Sequence, residues 1–110
     1  MTARILLVNF DEASEGLLTE IFRQKGHRIS TYACEEPLAE HLSKLSDDVD
    51  LIVLDASGNE RVIHNQLGEI RRYRAQHGHR PTVLCVSRVY RGAQVELELE
   101  RKGARVVYVR

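Results

Sequence analysis

Three uninterrupted apolar runs constrain the fold most: Ile5-Leu6-Leu7-Val8, Leu51-Ile52-Val53-Leu54 and Val83-Leu84-Cys85-Val86. A short strand that is apolar on both sides has to be buried on both faces, which points to the inside of a parallel sheet with helices above and below. Between the runs, apolar residues recur at helical spacing. Leu17, Leu18, Ile21 and Phe22 share one face of a helix predicted over 13–25, and Gly26 supplies its stop. Arg28 to Cys34 alternates, as a strand nearer the sheet edge would. Pro37 suits the first turn of a helix with Leu38, Leu42 and Leu45 on one stripe, and Ile63, Leu67 and Ile70 form the stripe of a third. Pro81 opens a strand over 82–86, and 106–109 is the last strand. The segment 94–102 is ambiguous, because Val95 to Glu100 has a period of two. Val95 and Leu99 nevertheless lie four apart, Glu and Leu favour helix, and Gly103 follows as a stop, so a helix is the reading.

Regular alternation of strand and helix implies right-handed crossovers and helices on both faces of the sheet. In such sheets the functional crevice lies at the carboxyl ends of the strands. The residues to inspect are Asn9 to Glu12, Asp55 to Asn59, Ser87 to Val89, and Arg110.

The chain has 110 residues, which predicts one domain spanning 1–110 that buries roughly 60 to 70% of the surface of its unfolded chain. Sixteen basic residues balance sixteen acidic ones. That argues against a general nucleic-acid or membrane-surface role, and the cluster of Arg71, Arg72, Arg74 and Arg80 reads as a solvated helix end. Cys34 and Cys85 lack partners at metal spacing and read as two buried free thiols of a cytoplasmic protein, most simply a bacterial one. The N-terminal apolar run is too short for a signal peptide or a membrane span.

The strand-end residues resemble those of response-regulator receiver domains of the chemotaxis-regulator type. Asp55 ends the third strand where that family carries its phosphoacceptor. Ser87 ends the fourth where it carries a hydroxyl. Gly103-Ala104 and the run to Arg110 match its Gly-Ala turn and final strand, with Arg110 in the place of a lysine. The resemblance covers the whole chain and rests on order and spacing together. It implies a flavodoxin-like three-layer α/β sandwich with five parallel strands in the order 2-1-3-4-5, and signalling partners, either a histidine kinase or a downstream effector. It does not imply a conventional enzyme.

The family's phosphoryl chemistry needs a magnesium ion held by carboxylates beside the phosphoacceptor, to neutralise the incoming charge. Here the acidic pair after strand one is replaced by Asn9-Phe10. Asn9 offers a carbonyl oxygen and Phe10 nothing. Asp11 and Glu12 come one or two residues late, so Asp55 and Asp11 are the only weak metal candidates. The Met-Pro pair that usually follows the phosphoacceptor is absent. The strand-five aromatic position falls on Val107, with Tyr108 pointing the other way. Arg110 is bulkier and more planar than lysine, and an Arg110–Asp55 ion pair would lock the pocket. The expectation is an atypical receiver that works as a phosphorylation-independent interaction module without a cofactor. The alternative is a working phospho-receiver that takes the phosphoryl group on Asp55 with Mg²⁺.

The family places a fifth helix after strand five, and none follows Arg110 in this sequence. The first and fifth helices share one sheet face, so two expectations stand side by side: a homodimer over the uncovered half, or a chain that is a fragment of a longer regulator carrying that helix. Other constellations carry less. His77 and His79 lack a third ligand, His41 and His64 read as surface residues, Cys85 belongs to the core, and the glycines match no nucleotide-binding loop.

Overall fold

The computed structural model describes residues 2–90 and 92–108. Among them, β1 (Arg4–Val8), α1 (Glu12–Gln24), β2 (Arg28–Tyr32), α2 (Leu38–Lys44), β3 (Leu51–Asp55), α3 (Glu60–His77), β4 (Thr82–Ser87), α4 (Ala93–Arg101) and β5 (Ala104–Tyr108) follow in strict alternation. The strands form one all-parallel sheet in the order β2-β1-β3-β4-β5, the flavodoxin-like arrangement expected. The three apolar runs are its central strands β1, β3 and β4.

Alternation along each central strand feeds two layers of core. Leu6, Val8, Ile52, Leu54, Val83 and Cys85 face α2, α3 and α4, and meet Leu38, Leu42, Ile63, Leu67, Ile70 and Leu99. Ile5, Leu7 and Val53 face the other way, where Leu18 and Phe22 of α1 pack on them. The two layers differ greatly in cover. α1 has no fully buried residue, and its Leu17 and Ile21 are 61% and 40% exposed, as is 45% of Val107 on β5. Helix burial supplies most helix stability in a protein, so α1 is held far less firmly than α3, which buries five side chains.

The ambiguous segment is a helix, and Gly103 takes a positive φ of 91° directly after it. Several expectations need correction. β2 ends at Tyr32, so Cys34 stands beyond the strand, exposed and with φ of 61°; only Cys85 is a buried thiol. Pro37 is the N-cap of α2 instead of its first helical residue. His41 and His64 are half-buried: the ring of His41 packs edge-on against Tyr32 and bonds Glu36, and His64 meets the Lys102 ammonium at 2.7 Å. The arginine cluster is not one solvated patch, because Arg74 turns inward to donate to the Pro81 carbonyl while Arg72 pairs with Glu69.

Candidate functional site

Parallel pairing brings the ends of β1, β3 and β4 together, and with them Asn9, Asp55 and Ser87. Asn9 follows β1 with φ of 70°, a left-handed conformation that asparagine tolerates better than most residues. That turn swings its side chain toward α3. Its Nδ2 donates to Gln66 Oε1 at 2.7 Å and, at 3.4 Å, to the Asp55 carbonyl. Its Oδ1 accepts from Gln66 Nε2 at 2.9 Å and from the Cys34 thiol at 3.9 Å. The two amides therefore close on each other, and Gln66 is only 8% exposed. Sequence reasoning missed Gln66. Its signal is a polar residue set among Ile63, Leu67 and Ile70 on the inward stripe of α3.

Phe10 turns to the other face and packs at the edge of the α1 layer. Asp11 caps α1, its Oδ1 accepting from the Ser14 N–H at 2.7 Å. That backbone bond, helped by the Ser14 side chain and by the charge of Arg88, holds the Asp11 carboxyl below its ordinary value. Glu12 begins the first turn and is exposed.

Asp55 ends β3, and its Oδ1 accepts from the Ser57 N–H at 3.0 Å. It stands between two cavities. One, of about 380 Å³, runs past Asn9 and Gly58 to Val62 and Ile63. The other, of about 430 Å³, lies toward α1 and is walled by Phe10, Leu17, Leu18 and Val86 with Ser14 and Arg88 at its rim. Arg88 is a second residue that sequence reasoning passed over, although it lies within the inspected segment after β4. Its Nη2 donates to Ser14 Oγ at 3.3 Å and its backbone N–H to Ser57 Oγ at 3.0 Å.

Ser87 is placed differently from Asp55. Asp55 pairs in register with Val86, so Ser87, one residue on, belongs to the opposite sheet face. It is 3% exposed, and its hydroxyl donates to the Val89 carbonyl at 2.8 Å and accepts from the Val89 N–H at 3.1 Å. Its register partner on β5 is Tyr108. Val107, where the family resemblance puts the aromatic, pairs with Val86 and so lies on the α1 side. The aromatic on the Ser87 face is Tyr108, whose hydroxyl donates to Glu96 Oε2 at 3.4 Å and whose ring lies 5.4 Å from that of Tyr90. Partial desolvation, with Glu96 alongside, raises the Tyr108 phenol above its ordinary value. Arg110 lies outside the described residues, and with it the proposed ion pair to Asp55.

These residues do not fit a magnesium ion. Mg²⁺ takes oxygen ligands and is usually bound through one or two carboxylates. Asn9 has turned its amide to Gln66, Phe10 has no donor, and Asp11 uses its Oδ1 to cap α1. Among the described residues no three His, Cys, Asp or Glu side chains come close enough together to hold a metal. The candidate pair Asp55 and Asp11 belongs to no such cluster among the described residues.

No protein-family model matches the chain, and no curated protein matches it by sequence. Solved structures do. A response regulator from Thermotoga maritima is similar with a TM-score of 0.73 at 17% identity, over 99% of this chain and 84% of that one. The response regulator TrrA, solved in complex with the histidine kinase ThkA, gives 0.61 at 22% identity over 98% and 86%. A protein from Burkholderia pseudomallei described as related to pilus assembly gives 0.68 at 20% identity over 96% and 77%. Sheet order, strand-end geometry and these likenesses agree: the chain has the fold of a response-regulator receiver domain.

Proposed function

We propose that this chain is an atypical receiver domain of two-component signalling, acting in the cytoplasm as a protein-interaction module without a phosphorylation cycle. The observation that carries the reading is the closed Asn9–Gln66 amide pair. It ties up Asn9, which stands where the resemblance puts an acidic residue beside Asp55, while Asp11 caps α1. The TrrA–ThkA complex supports a histidine kinase, or an effector downstream of one, as the class of partner. Among the described residues no helix is long and apolar enough to cross a membrane.

A second copy belongs to the same proposal. Leu17 and Ile21 of α1 are exposed, Leu17 lies beside Val86, and Leu84 and Val86 of β4 and Val107 of β5 point to the same side of the sheet. Exposed Glu12 and Glu20 on α1 and exposed Arg105 on β5 are complementary in charge across a twofold contact. Sedimentation of the chain and of Val107→Lys tests this: a concentration-dependent dimer lost in the variant is expected, and a monomer at every concentration refutes it.

The phosphorylation-free reading is tested by intact-mass spectrometry after incubation with acetyl phosphate and Mg²⁺, with Asp55→Ala as control. No added mass is expected. An added phosphoryl mass that disappears in the control would overturn the reading in favour of a working phospho-receiver.

A further inference from the structure

The cavity between Phe10 and Arg88 combines three properties that have no use in a phosphorylation-free receiver. It is open and large enough for a small organic molecule, at about 430 Å³. Its walls are apolar, from Phe10, Leu17, Leu18 and Val86. One carboxylate and one guanidinium face it, from Asp55 and Arg88. The ion pairs among the described residues join Arg4 to Asp47, His41 and Lys44 to Glu36, Lys44 to Glu40, and Arg72 to Glu69; neither Asp55 nor Arg88 takes part in one.

Both charges are fixed by neighbours while keeping hydrogen-bonding capacity. Asp55 Oδ1 accepts from Ser57, which leaves Oδ2 as an acceptor. Arg88 is tethered through Nη2 to Ser14 and through its backbone to Ser57, which leaves Nη1 and Nε as donors. Asp11 is near enough for the Arg88 charge to act on it, but its carboxylate is anchored on the Ser14 N–H. Asp55 and Arg88 come from the ends of adjacent strands, the region where open parallel sheets bind ligands.

A simple anion would leave Asp55 opposed to it, and a simple cation would meet the same difficulty at Arg88. A ligand carrying both charges satisfies both side chains, and an apolar side chain on it matches the walls. We propose that this cavity is a binding site for a small apolar α-amino acid, its carboxylate on Arg88, its ammonium on Asp55 and its side chain against Phe10 and Leu18. The inference rests on the reading that Asp55 is not a phosphoryl acceptor.

The test is a titration of the full chain with L-leucine, followed by amide chemical shifts. Saturable shifts are expected at Phe10, Ser14 and Ser57. Asp55→Asn and Arg88→Gln should each weaken binding by at least about tenfold, because each removes a charge-assisted hydrogen bond. 4-Methylpentanoate, which lacks the ammonium, and 3-methylbutylamine, which lacks the carboxylate, should bind weaker by a similar factor. No saturable shift at millimolar L-leucine overturns the proposal. So does binding that survives both substitutions, or binding in which either single-charge analogue equals leucine. Phosphoryl transfer to Asp55 is read separately by mass, so failure of the functional reading and failure of this site are distinguishable.

Discussion

Replacing Asn9 by aspartate restores the acidic residue that receiver chemistry wants, and the structure says that the domain will resist it. Asn9→Asp removes the Nδ2 donor that serves Gln66 Oε1 at 2.7 Å and the Asp55 carbonyl at 3.4 Å. The first bond contributes about 1 kcal/mol net, and the buried Gln66 oxygen left without a donor costs about 1–3 kcal/mol more. The new carboxylate still accepts from Gln66 Nε2, a charge-assisted bond that offsets about 1 kcal/mol. The balance is a loss of about 2 kcal/mol at neutral pH, which lowers the melting temperature of a domain this size by on the order of 10 °C. The loss depends on pH with a definite sign. Partial burial beside Asp55 raises the introduced carboxyl above its unfolded value, so the deficit is smallest at acid pH, where a protonated acid donates to Gln66. It grows as pH rises through the folded value. Paired thermal melts of parent and variant between acid and neutral pH measure this. A variant as stable as the parent at neutral pH would refute the closed amide pair, and with it the argument that magnesium has no seat beside Asp55.

Asp11→Ala should destabilise α1, and the parent's advantage should fade on acidification: the Asp11 carboxyl is held below 3.8, so its contribution is present above that value and lost as pH falls through the lower folded one. Burial pushes the Cys85 thiol up to about 11, whereas Cys34 is exposed. A disulfide reagent at mildly alkaline pH should therefore modify only Cys34 in the native chain, and Cys34→Ser should abolish the fast reaction. Gly103→Ala should cost about 1–2 kcal/mol in chemical denaturation. Its φ is 91°, and an added Cβ would stand 2.8 Å from the Arg74 Nη1 atom.

Much of the fold was legible because burial on both sides leaves a plain mark: Ile5 to Val8, Leu51 to Leu54 and Val83 to Val86 became the three central strands. Segment 94–102 was legible only through Gly103 and helix propensity, since its alternation argued for a strand. The site was legible in its positions and not in its orientations. Asp55 does end β3, but the one-residue offset that turns Ser87 to the other face depends on register, which no local motif encodes. The turn of Asn9 onto Gln66 joins residues 57 positions apart through a left-handed backbone. Cys34 was misread because a strand's last residue and the first of a bend look alike when both are apolar.

The uneven cover of the sheet has a consequence in time. α1 rests on the sheet through Leu18 and Phe22 with no side chain fully buried, while α3 buries five. Local opening draws on elements with few buried apolar contacts. Backbone amides of α1 should therefore exchange with solvent through detachment of that helix alone, well before those of α3 and the central strands, whose exchange waits for global unfolding. Anything that settles on the exposed side of α1, whether a second copy or a ligand beneath Leu17, would reveal itself first as slower exchange along 12–24.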